Sequence, residues 1–155
     1  MSEALYTTPA LAALFSPEGY VARMLAFEAA LARAEARAGV IPAEAADAIA
    51  AACRVELYDV AALYAEAARA GTLAIPLVRA LSARAAEPGR PYVHWGATSQ
   101  DAVDTALMLQ LREALALIEA DLLRLAAACA SLAERHRHTL MPSRTLLQQA
   151  LPMPF

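Results

Sequence analysis

Within eight positions, His94-Trp95-Gly96-Ala97-Thr98-Ser99-Gln100-Asp101 gathers an imidazole, an indole, two hydroxyls, an amide and a carboxylate. This set suits the handling of an anion. Thr98 and Ser99 stand where the longest helical pattern of the chain begins. A helix start carries backbone N–H groups without intrahelical partners and a partial positive charge, and so accepts a carboxylate or a phosphate. His94 is a residue type that can orient a substrate or move a proton near neutral pH. The same residues admit a structural role, with Thr98 or Ser99 as N-cap and Asp101 completing a capping-box-like arrangement. On the residues alone both readings stay open. Two further sets of donors are candidates. Arg23 can clamp a carboxylate in a bidentate fork if it converges on the loop, and is otherwise a solvated surface charge. Arg144, Thr145, Gln148 and Gln149 form a second polar cluster near the end of the sequence.

The elements that must position these residues are helical. Residues 5–15 predict a short helix. Ser16-Pro17-Glu18 is a helix start, with cap, proline and acid in order. That helix is expected to reach Ala38 and stop at Gly39. Its stripe of Val21, Leu25, Glu28, Leu31 and Glu35 is apolar except for the two carboxylates. Pro42 opens a helix to about Cys53, and Asp59 caps another that ends at Gly71. Residues 72–76 are expected to be a tight connection before a helix through Leu77, Val78, Leu81 and Ala85. Pro88, Gly89 and Pro91 then impose a loop that delivers Tyr92 to Gly96. From Ser99 to about His138 neither Gly nor Pro intervenes. Val103, Leu107, Leu111, Leu115, Ile118, Leu122, Leu125, Cys129 and Leu132 recur at a spacing of about 3.6. Met108, Leu109, Leu117 and Leu123 add a second apolar surface. A helix of about 40 residues is about 60 Å long, more than a domain of this size can cover. It therefore calls for partners, either other subunits or more of its own chain.

Composition narrows the functions. The 155-residue chain is 59% hydrophobic and rich in alanine, the strongest helix former, so the expected fold class is all-α. A net charge of −3 argues against a nucleic-acid surface. Neither a targeting signal nor an apolar run of membrane-spanning length is present, so a cytoplasmic protein without membrane contact is expected. Cys53 and Cys129, far apart in alanine-rich patterns, read as buried, reduced thiols. His136 and His138, two positions apart, do not share a helix face as metal ligands would, and suit a helix C-terminus as cations. The chain contains no lysine, which excludes a Schiff-base lysine and a Walker-type phosphate loop.

Residues 94–105, from His94 through Asp104 and Thr105, resemble the first signature region of the fumarase/aspartase superfamily. Arg144-Thr145-Leu146-Leu147-Gln148-Gln149-Ala150-Leu151-Pro152 resembles its second region. Leu146 and Gln149 stand where purine-pathway members usually carry histidine, and the pattern is most similar to the bacterial cycloisomerase branch. The resemblance implies a cofactor-free reaction in which a carboxylate adds across a conjugated double bond to close a γ-lactone. It implies a small polycarboxylate substrate, His94 and Ser99 as catalytic residues, and no metal. Substrate binding would then fall to Arg23, Thr98, Gln100, Asp101, Arg144, Thr145, Gln148 and Gln149. It further implies a homotetramer with sites shared between subunits, and a catalytic serine on a loop beyond residue 155. The expected organisation is an N-terminal helical domain over 1–93, followed at 94–155 by the first long helix of a central bundle, in a chain that stops short. Two alternatives remain: another lyase of the superfamily, and an all-α assembly module without chemistry.

Overall fold

The computed structural model describes residues 5–146 and 148–154; the side chains of Arg144, Thr145 and Gln149 lie outside what is described. Among the described residues six α-helices run in order: α1 (Pro9–Leu14), α2 (Pro17–Arg37), α3 (Ala43–Ala52), α4 (Val60–Ala70), α5 (Ala74–Arg84) and α6 (Ser99–His136). A hairpin of β1 (Leu140–Thr145) and β2 (Gln148–Pro154) comes last. The chain forms two compact units, residues 1–114 and 115–155.

Local chemistry explains most helix boundaries. α1 begins at Pro9 rather than near residue 5, because Thr8 caps it and accepts from Leu11 N at 3.3 Å. Ser16 caps α2 in the same way, accepting from Gly19 N at 3.0 Å. At the other end of α2, Gly39 takes φ +72°. Val40 N bonds Glu35 O and Gly39 N bonds Ala36 O, the paired bonds of a Schellman stop. Asp59 caps α4 through Ala62 N. α5 starts at Ala74, so the expected connection over 72–76 shrinks to Gly71–Leu73. Pro76 sits in the first turn of α5, where its missing N–H is no loss.

In the first unit, Val21, Met24 and Leu25 of α2 share one buried core with Ile49 of α3, Leu63 of α4 and Leu77 and Leu81 of α5. Ala45, Ala46, Ala102 and Ala106 are also buried. The alanines therefore serve more than helix propensity, because their small side chains let helix backbones approach. Gly19 shows how tight the α1–α2 corner is. A Cβ there would stand 2.6 Å from the Ala13 carbonyl oxygen and closer still to that of Leu14, both rigid backbone atoms. Gly19→Ala is expected to cost about 1–3 kcal/mol, the usual range for overpacking, read as a lower urea midpoint with an unchanged slope.

The second unit departs from the all-helical expectation in one place. Pro142, Pro152 and Pro154 forbid helix there, and the segment pairs with itself antiparallel, Thr145 opposite Gln148 and Arg144 opposite Gln149. A two-stranded ribbon has only edge strands, which is where sheets tolerate proline.

Candidate active site

The loop after α5 closes through a single 3₁₀ turn at Arg90–Tyr92 and then reverses on two left-handed residues, His94 at φ +59° and Gly96 at φ +67°. Glycine adopts that conformation freely. Histidine does so at a cost, though less rarely than most residues. What His94 gains is a partner. Its Nδ1 lies 2.6 Å from Glu28 Oε1, within hydrogen-bond distance, and the Phe27 ring meets it edge-on at 6.4 Å between centroids. Glu28 lies in the middle of α2 and is only 2% exposed. Burial pushes its carboxyl above the usual range, and the His94 imidazole opposes that shift. Glu35, two turns further along α2, is also raised by burial and opposed by His94. One oxygen of each carboxylate, Oε2, is enclosed without a hydrogen-bond partner. Burial likewise lifts the Cys53 thiol to about 12, with Glu28 adding to the shift. Cys53 is thus an inert thiol, whereas Cys129, also expected to be buried, is exposed on α6.

At the start of α6 the capping role is realised. Thr98 Oγ1 accepts from Gln100 N at 3.1 Å, and Thr98 N donates to Asp101 Oδ2 at 2.8 Å. The carboxylate of Asp101 is therefore engaged in the reciprocal cap. Gln100 Nε2 donates to Asp104 Oδ1 at 2.5 Å, one turn along. Ser99 is half-buried, whereas Thr98, Gln100 and Asp101 are exposed, so the helix start stays open to solvent. Trp95 is exposed as well, its ring edge-on to Tyr92.

Arg23 does not join this loop. Its guanidinium forks onto Glu113 of α6, with Nε 3.3 Å from Oε1 and a second bond from Nη2 to Oε2. Glu113 lies fourteen residues beyond Ser99, about 21 Å along the helix at 1.5 Å per residue. The expected clamp is therefore already occupied by a carboxylate of the chain itself. In the second unit, Gln148 is exposed on β2. Arg144, Thr145 and Gln149 can be placed only by strand register, since their side chains lie outside the described residues.

A family model described as lyase matches residues 3–155. The chain belongs to this lyase family, within the fumarase/aspartase superfamily. The 3-carboxy-cis,cis-muconate cycloisomerase of Pseudomonas aeruginosa is 54% identical over 154 residues, covering 97% of this chain and 34% of that protein. Its counterpart in Bradyrhizobium diazoefficiens is 51% identical, with the same coverage of each. The crystal structure of the 3-carboxy-cis,cis-muconate lactonizing enzyme from Pseudomonas putida superposes with a TM-score of 0.90 at 52% identity, over 98% of this chain and 35% of that one. The chain thus spans about a third of the length of the relatives it matches.

Set within this lyase family, the residue missed at the sequence level is Glu28. A signal for it existed. Two carboxylates seven positions apart on an otherwise apolar helical stripe must be buried, and a buried carboxylate needs a partner. Gln110 was also missed. It is buried on α6, and its Nε2 donates to Leu14 O at 2.7 Å, tying the end of α1 to the long helix.

Proposed function

We propose that this chain supplies the His94 region of a cofactor-free cycloisomerase that closes 3-carboxy-cis,cis-muconate to its γ-lactone. The observation that carries the reading is the 54% identity to a cycloisomerase over a span that includes the whole His94–Asp101 loop. The geometry supports it with an imidazole held on a buried carboxylate beside an open helix start. In this reading a carboxylate of the substrate lies against the N-terminus of α6, where the helix dipole and Ser99 favour negative charge. His94 orients the substrate or moves a proton. Arg144, Thr145, Gln148 and Gln149 are further candidate donors, which another copy of the chain would supply to a shared site. Residues 1–93 form an N-terminal helical domain and 94–155 begin a helical bundle. The long apolar stripe of α6 pairs with other copies in a homotetramer. The site also draws on residues outside this chain, so the 155 residues alone are expected to show no measurable turnover.

A chimera tests the proposal. The chain replaces the matched third of the Pseudomonas putida lactonizing enzyme, and loss of the diene absorbance of carboxymuconate is monitored. The chimera is expected to keep kcat/KM within about tenfold of the parent, a difference of about 1.4 kcal/mol. A folded chimera that ignores carboxymuconate but releases fumarate from a succinyl substrate would assign the chain to another lyase of the superfamily.

A further inference from the structure

We infer that Glu28 is a positioning residue that acts through His94, fixing the imidazole with its proton on Nδ1 so that Nε2 is the nitrogen offered to substrate. The inference rests on the proposed role of His94 and goes beyond it, because it assigns a task to a residue on another helix, 66 positions away in sequence.

Three observations converge. The first is geometric. The 2.6 Å contact between Nδ1 and Glu28 Oε1 is short for a nitrogen–oxygen pair, as charge-assisted bonds are. The second is conformational. His94 holds a left-handed backbone, a conformation that costs energy for a residue with a side chain. In it the imidazole stays about one-seventh exposed while its partner is sealed, with side-chain exposures of 14% and 1%. A histidine buried only to fill space would not need that backbone. The third is the isolation of the carboxylate. Glu28 Oε2 has no hydrogen-bond partner, so His94 is the group that compensates a charge otherwise expensive to bury. An imidazole whose Nδ1–H is held by a carboxylate has one defined tautomer and one free nitrogen, the condition for directed proton transfer. A buried ion pair serving stability alone would be a poor choice here, since an apolar pair of equal volume often does as well.

A double-mutant cycle in the gene product that contains this chain tests the assignment. Glu28→Leu keeps volume and removes the acceptor, while Glu28→Gln keeps an acceptor oxygen. Glu28→Leu is expected to lower kcat by about 10²-fold, the low end of what a positioned proton-transfer group supplies, with KM changed less than about threefold. Glu28→Gln is expected to recover at least about tenfold of that loss, since its amide oxygen still accepts from Nδ1–H. With His94→Asn in the background, either change at Glu28 is expected to add less than about threefold, because coupled residues do not contribute independently. Equal losses in both backgrounds, or a Gln variant no better than Leu, would overturn the inference. Should the Leu variant fail to fold, the Gln arm of the cycle decides alone. Ring ¹⁵N shifts of His94 provide a readout that needs no turnover. A protonated Nδ1 is expected in the parent, moving toward a tautomer mixture in Glu28→Leu, which has no acceptor. An unchanged ring spectrum in the variant would reject the positioning role. Absence of turnover on carboxymuconate with the expected ring spectrum would instead reject the proposed reaction.

Discussion

Replacing His94 by Asn in the gene product that contains this chain is expected to lower kcat/KM on carboxymuconate by about 10²- to 10⁴-fold, equivalent to about 3–5 kcal/mol of transition-state stabilisation. Asn is the informative substitution. It tolerates the left-handed backbone that His94 adopts at φ +59°, so the turn itself is kept. What disappears is the imidazole ring. A group that acts in the chemical step should reduce kcat and kcat/KM together and leave KM nearly unchanged. A rise in KM alone would make His94 a binding residue. A second effect is expected in the same variant. Glu28 is left sealed without its partner, and removing one member of a buried pair typically costs about 3–5 kcal/mol. Because burial already raises the Glu28 carboxyl, proton uptake offsets part of that cost. The Asn variant should therefore regain stability as the pH falls toward the Glu28 value, where the neutral acid replaces the stranded charge. Urea midpoints measured across acidic pH check this. A midpoint that stays flat relative to the parent would show that Glu28 does not depend on His94.

Much of this arrangement is legible in the sequence, for physical reasons that also mark where legibility ends. Helix boundaries arise from local chemistry, so Ser16, Asp59, Gly39 and Gly71 could be assigned their roles without a structure. The loop of His94 and Gly96 and the helix start at Thr98–Asp101 are local as well. Thr98 and Asp101 prove to be mutual caps. Pairings across distant sequence are another matter. No local pattern says that Arg23 meets Glu113 rather than the loop, or that Glu28 meets His94, since both depend on how α2 lies against the His94 loop and the first half of α6. The hairpin escaped for a related reason. Its strands are short and interrupted by proline, and each is paired only by the other, so neither shows the alternation that identifies a strand packed on a core.

The largest effect on assembly is expected from Leu122→Glu combined with Leu125→Glu. Within the second unit, Leu115, Ile118, Leu122, Leu125, Cys129 and Leu132 recur at alternating steps of three and four, the spacing of a coiled-coil seam. Every one of these side chains is exposed in the single chain, Leu115 by 64% and Leu122 and Leu125 by 58% each. Covering a leucine completely is worth about 1.5–3 kcal/mol, and a symmetric assembly repeats that gain in each copy. Two glutamates on the seam remove the gain and place like charges where helices would meet, a far larger penalty than surface substitutions carry. Light scattering after size exclusion is expected to show the double variant shifted to smaller species, with turnover lost as the shared sites come apart. Arg124→Ala is the control. Arg124 lies on the opposite side of the helix from Leu122 and pairs with Asp121 one turn back, so its loss should leave mass and turnover near those of the parent. If the glutamates left the mass unchanged, the seam would face solvent or more of the same chain, and assembly through it would have to be abandoned. If the mass fell but turnover survived, each copy would hold a complete site, and sharing between copies would fail while assembly through α6 stood.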